Sequence, residues 1–151
     1  MAHFHFKLAP VVKMRQTRDD EAQRALAHAE RRVRDAERRL ADAETRLAEA
    51  YQQATQAERD GADMTRLAWH RNWIVVKTRD VEARRLEVQE RQDVRDVTAR
   101  EARDARVALR VLERLRDRAR LAFDTNQARL DMLAIDELAT LRAARRLGDI
   151  L

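Results

Sequence analysis

Histidine is the side chain best suited to move a proton near neutral pH or to hold a metal, and the four in this chain of 151 residues are poorly placed to do either. His3-x-His5 has a spacing that could grip a metal, but two histidines at a chain end that frays point to no function. His28 and His70 are isolated, with no plausible nucleophile and no fixed carboxylate partner, so catalysis has no constellation to work with. Cysteine is absent, which removes thiolate nucleophiles, disulfides and thiolate metal sites together. Two glycines cannot build a phosphate-cradling loop. The expectation is no catalytic residue, no metal site, no cofactor and no enzyme. What remains is recognition chemistry. Trp69 and Trp73 stand four residues apart, on one face of any helix, and admit two readings: packing at the end of a helix pair, or an exposed aromatic anchor. Tyr51, across Gly61 from them, could join either.

The elements that must carry these residues follow from composition. With 39% charged residues, 4% aromatics, 2 Gly and 1 Pro, the chain is not mixed like an ordinary globule. Ala, Arg, Glu and Leu lose little rotamer freedom in a helix, so long helix is favoured almost throughout. Burial must lie along a narrow seam rather than in a thick core. Pro10, Gly61 and Gly148 are the strong breakers, and residues 11–60 and 62–147 contain neither Gly nor Pro. Ahead of Pro10, Phe4, Phe6 and Leu8 alternate with polar neighbours, so this tip either is extended or enters the first helix directly. Pro10 supports a helix start beside it. Asp60-Gly61-Ala62-Asp63 offers a Gly where a helix can end and an Asp that can cap the next. One coiled-coil domain over 1–151 is expected, with a first arm at about 10–60, a turn at about 60–64 and a second arm at about 64–147.

Periodicity inside the arms predicts how they pair. Leu26, Val33, Leu40 and Leu47 recur every seven residues, and Ala22, Ala29, Ala36, Ala43 and Ala50 form a second row. A heptad held this long imposes a left-handed supercoil, and alanine in one row lets the partner backbone approach. In the second arm Leu67, Ile74, Val81, Val88, Ala102, Leu109, Phe123 and Leu130 share one register, interrupted by Arg95 and Arg116. Folding back near residue 62 sets Ala50 against Ile74, Ala43 against Val81 and Ala36 against Val88, small against large. Three and a half residues either way would also satisfy the repeat, so Gly61 selects the fold-back point. Leu40 and Leu47 then lie near His70, Lys77 and Arg84, whose stems alone can cover them. The fold class is therefore all-α: two long helices in an antiparallel coiled-coil hairpin, the second longer than the first.

Net charge is +5 and the sequence pI about 10.5, yet bases alternate with acids, as in Glu30-Arg31-Arg32-Val33-Arg34-Asp35-Ala36-Glu37-Arg38-Arg39. That is the pattern of a solvated helical face, with i,i+4 pairs of about 0.3 kcal/mol, rather than of a nucleic-acid surface. No nucleic-acid partner is expected. The apolar run Trp73-Ile74-Val75-Val76 is far short of the roughly 20 residues of a membrane span, and the start lacks the pattern of a secretory signal. A cytoplasmic protein without direct membrane insertion is expected. At about 1.5 Å per residue the first arm spans roughly 75 Å and the second roughly 130 Å. Beyond about Leu112 the second arm meets no first-arm partner except the N-terminal tip, although Leu115, Leu121, Phe123, Leu130, Leu133, Leu138 and Leu141 keep it apolar. An exposed apolar helix of that length generally has a partner.

The opening Phe4-x-Phe6-x-Leu8-x-Pro10-Val11-Val12-x-x-Arg15, followed by Ala- and Glu-rich heptads, resembles the start of the FliJ family of flagellar type III export proteins. Arg129-Leu130-Asp131, Ile135-Asp136-Glu137-Leu138-Ala139 and Arg142 to Arg146 resemble its ending, and the tryptophan segment after the central Gly is similar too. The resemblance implies a stalk, similar in fold to the two-helix coiled coil of a rotary ATPase gamma subunit. It also implies three kinds of partner: the export ATPase hexamer, whose channel it enters and whose assembly it promotes; the cytoplasmic linker of the membrane export gate; and export chaperones. Carried onto this chain, Phe4, Phe6, Leu130, Asp136, Glu137, Leu138, Arg142 and Arg145 would meet the ATPase ring, the two arginines facing channel carboxylates. Tyr51, Trp69, Trp73 and Ile74 would meet the gate, although Lys77 and Asp80 stand where a gate-facing apolar residue would be expected. The implied place is cytoplasmic, peripheral to the inner membrane.

Three other readings compete. The virulence secretion stalk proteins of the YscO type share the fold and the role. A structural coiled-coil scaffold unrelated to secretion would need only the heptads. A nucleic-acid or ribosome-associated hairpin would draw on the pI, and salt-sensitive binding to bulk DNA or RNA would be its signature.

Overall fold

The computed structural model describes residues 3–148. Among them lie two helices, α1 (Ala9–Arg59) and α2 (Met64–Gly148), and no strand. The architecture is an all-α antiparallel coiled-coil hairpin with the second helix the longer, 85 residues against 51. His3 to Phe6 have no regular structure, and a turn at Lys7 and Leu8 leads into α1. The amide of Ala9 donates to the carbonyl of Phe6 at 3.1 Å. Pro10 sits in the first helical turn, where its missing N–H would have had no partner in any case.

The connection between the helices is built from two caps. Ala62 N–H donates to the Ala57 carbonyl at 3.0 Å and Gly61 N–H to that of Glu58 at 3.2 Å, the paired bonds of a Schellman ending. That ending needs one residue in the left-handed region, and Gly61 has φ of 71°. Two residues on, the Asp63 carboxylate accepts from the Arg66 amide at 2.8 Å, while Leu67 N–H donates to the Asp63 carbonyl at 3.0 Å. Asp63 is thus the N-cap of α2.

The chain forms two compact units, Arg18–Ala105 and Met1–Thr17 with Arg106–Leu151. In the first, the seam follows the heptads. Ala36, Ala43 and Ala50 are 2%, 2% and 1% exposed, and across from them Val81 and Val88 are buried. Leu40 and Leu47 are only half-buried, as are Lys77 and Arg84 in the facing row. Arg39 Nη1 donates to Glu87 Oε1 at 2.9 Å and the amide of Gln23 donates to the Ala102 carbonyl at 3.3 Å. The Arg39–Glu87 pair falls between the Ala36/Val88 and Ala43/Val81 levels, which is the register that folding back near residue 62 demands. Asp19, also buried, accepts from Gln23 at 3.2 Å.

Magnitudes decide what holds this seam. A buried valine contributes roughly 1.5–3 kcal/mol, whereas exposed ion pairs such as Arg85–Glu44 at 3.3 Å contribute about 0–1 kcal/mol. The small seam residues dominate, and the surface pairs refine register. Arg84, with Arg39 and Arg91 nearby, holds the Glu87 carboxyl below the usual carboxylate range.

In the second unit the N-terminal segment supplies the partner. Phe4 meets Phe123 at a ring separation of 5.7 Å and a tilt of 58°, and the Arg120 guanidinium lies 5.3 Å from the Phe4 ring. Val12 and Leu109 are buried. Half-buried positions continue along α2 as far as Gln127 and then cease. The stretch without a partner therefore begins near residue 128, about four turns later than Leu112, because the segment before α1, with Phe4 on Phe123, lies against this part of α2.

Candidate functional site

Two surfaces carry the residues singled out by the sequence. Just past the turn, in the Arg18–Ala105 unit, two aromatic side chains of α2 four residues apart stack on one another. Trp69 and Trp73 are parallel within 12°, with ring centres 5.7 Å apart. Lys77 Nζ lies over the Trp73 ring at 4.3 Å, a cation–π contact that extends the i,i+4 ladder by one turn. Both tryptophans border a shallow groove whose far wall is Arg46, Glu49 and Gln53 of α1. Trp69 is 55% exposed, and Trp73 and Ile74 are half-buried.

Tyr51 is exposed too, but it opens onto a different hollow, formed with Gln52, Thr55, Gln56 and Arg59 along α1 itself. The fold brings Trp69 and Trp73 together, leaves half-buried Ile74 outside the groove they line, and sets Tyr51 apart on its own hollow. Val75 and Val76, exposed beside the pair, were not singled out by sequence reasoning. Their signal was the unbroken apolar run from Trp73 to Val76: four consecutive apolar residues point around the whole helix, so a single seam cannot cover them all. His70 lies edge-on to Trp69 at 5.0 Å, is buried, and its Nδ1 has no hydrogen-bond partner.

The second surface is the end of α2. From Ala128 to Arg146 every side chain is exposed. Leu130, Asp136, Glu137, Leu138, Arg142 and Arg145 all lie here. At about 100° per residue, Leu130, Leu133, Leu138 and Leu141 occupy one half of the helix, and Arg145 extends that row. Met132 and Ile135 lie on the other half and are 65% and 64% exposed. Phe4 and Phe6, by contrast, are half-buried, Phe4 through its contact with Phe123. Leu151 and its two neighbours lie outside the described residues.

Among the described residues no three His, Cys, Asp or Glu side chains are grouped to hold a metal ion, and no helix is long and apolar enough to cross a membrane. Both surfaces carry exposed apolar side chains beside cations on one helix: Trp69 with Lys77 at the first, and Leu138 and Leu141 with Arg142 and Arg145 at the second. No curated protein and no solved structure matches the chain. The family pattern described as flagellar FliJ protein does match, over residues 4–148, so that the phenylalanine tip, the tryptophan segment and the exposed end of α2 all fall within it. The chain belongs to the FliJ family of flagellar proteins.

Proposed function

We propose that the chain is the stalk of the flagellar type III export apparatus, entering the export ATPase hexamer with its terminal end, promoting ring assembly and coupling the ring to the export gate. Family membership assigns it a part in flagellar export. The observation that carries the finer reading is the end of α2, where 11 of 19 residues from Ala128 to Arg146 are apolar and every side chain is exposed. Such a segment has contact area to offer and nothing of its own to spend it on. Leu130 and Leu138 supply that area inside the ring, Asp136, Glu137, Arg142 and Arg145 fix orientation and speed encounter, and Phe4 and Phe6 hold the adjoining terminus. Trp69, Trp73 and Ile74, with Tyr51 on its separate face, meet the cytoplasmic linker of the gate. The protein is a non-enzymatic coupling element in the cytoplasm, peripheral to the inner membrane, that also handles export chaperones and uses no cofactor. Residues 1–151 act as one coiled-coil hairpin.

The test mixes the protein with the matching export ATPase and follows hexamer formation and ATP turnover together. Deleting residues 129–151 should abolish both effects while helical content per remaining residue barely changes. A truncated chain that stimulates the ATPase fully would move the ring contact elsewhere. In the same assay Trp73→Ala should weaken capture by the gate linker and leave ATPase stimulation largely intact; equal loss of both would make Trp73 a structural residue.

A further inference from the structure

The even mixing of charges holds for one unit and fails for the other. Residues 18–105 carry 19 Lys and Arg against 20 Asp and Glu, whereas residues 1–17 and 106–151 carry 13 against 7. The positive excess of the whole chain thus belongs to the terminal unit. Within it, residues 106–120 hold six arginines and two acids. Arg116 is engaged by Asp117 at 3.5 Å and Arg120 by Asp124 at 3.3 Å, and Glu113 is half-buried. Arg110, Arg114 and Arg118 are exposed, and no ion pair among the described residues engages them.

These three arginines follow one another every four residues and so form a row about 12 Å long. Each stands three residues after an exposed apolar side chain: Val107, Val111 and Leu115 are 55%, 58% and 45% exposed. Side chains three and four apart are neighbours on a helix, so the two rows interleave on one face. That face looks away from the unit's own core, since Val111 lies about 200° round the helix from buried Leu109.

The pairing of the two rows selects the partner. A nucleic-acid backbone would take the arginines and leave the valines and the leucine wet. A phospholipid surface takes both: short apolar side chains enter the boundary between headgroups and acyl chains, while arginine stems lie along that boundary and their guanidinium groups reach phosphates. We propose that the Val107–Arg118 face of α2 adsorbs reversibly onto anionic phospholipid surfaces. Three small apolar residues give a shallow contact without insertion, and the arginines confine it to negatively charged lipid.

The test uses the full-length chain and vesicles of phosphatidylglycerol and phosphatidylcholine in equal parts, or of phosphatidylcholine alone. Binding is measured by co-sedimentation at about 0.1 M salt, where the Debye length is roughly 10 Å. The protein should partition onto the anionic vesicles, fail to bind the neutral ones and dissociate as salt rises. Reversing Arg110, Arg114 and Arg118 to Glu together should lower partitioning at least about tenfold, and Arg114→Gln alone by about fivefold. Changing Val107, Val111 and Leu115 to Ser should lower vesicle binding comparably yet leave retention on heparin unchanged. The six side chains are exposed, so circular dichroism should be unaltered in all variants. Failure of the unmodified chain to bind anionic vesicles would overturn the proposal. So would a serine variant that binds them as well as the parent; if that variant also held duplex DNA tightly, the face would be a nucleic-acid surface instead. Neither outcome bears on the export-stalk reading, which uses none of these six residues.

Discussion

Two stretches of α2 of equal length make the most instructive contrast in the molecule. Between Arg84 and Ala102, 6 of 19 residues are apolar, yet Val88 and Ala102 are buried and seven further positions are half-covered. Between Ala128 and Arg146, 11 of 19 are apolar and none is covered. The more hydrophobic stretch is the more exposed. Burial in a coiled coil follows from the presence of a facing helix rather than from the hydrophobicity of the helix itself. An amphipathic stretch meets its partner with a few well-spaced small residues, whereas an apolar stretch lacking one stays open to solvent. The same logic separates Trp73, half-covered beside α1, from Leu138, with no α1 alongside.

Breaking the covered side of this contrast should have the largest effect. Ala43→Leu forces a larger side chain into a row that is 2% exposed and should destabilise by roughly 1–3 kcal/mol, read as a lower midpoint in urea with little change of slope. A cysteine pair at 43 and 81 should close within one chain, and closure only between chains would replace the hairpin with a swapped dimer. Next comes the turn. No atom lies within 4 Å of where a Cβ would sit on Gly61, so Gly61→Ala costs only conformation, about 1–2 kcal/mol for a left-handed residue. Gly61→Asn should recover part of that loss, because asparagine tolerates this region; an equal loss for both would mean that space rather than φ is limiting. Least affected should be the uncovered side. Leu138→Asp, at a position 55% exposed, should move stability by no more than about 0.5 kcal/mol while weakening ATPase binding at every salt concentration. A large fall in thermal midpoint for Leu138→Asp would show that the end of α2 is covered after all, and the contrast between the two stretches would dissolve.

Much of this molecule is decided locally and could be read without coordinates. Heptads of alanine and branched residues specify a two-helix seam because a 3.5-residue repeat keeps one stripe facing its partner, and Gly61 marks the fold-back because it alone in that region adopts positive φ freely. Asp63 caps α2 through its own carboxylate, a bond spanning three residues. The phenylalanine tip, the tryptophan segment and the Arg129 to Arg146 ending carried the resemblance to the family. Contacts between residues far apart in sequence needed the fold. That Phe4 packs against Phe123, so that cover on α2 extends to Gln127, depends on how far an irregular tip reaches, and periodicity has no term for that. Tyr51 and the tryptophans lie at the same end of the hairpin but open onto different hollows, because helix phase on two separate arms fixes their directions independently. The Arg110, Arg114 and Arg118 row was present in the sequence as an i,i+4 pattern. Its significance appeared only once burial had shown which flank of α2 faces water and which acids are already engaged.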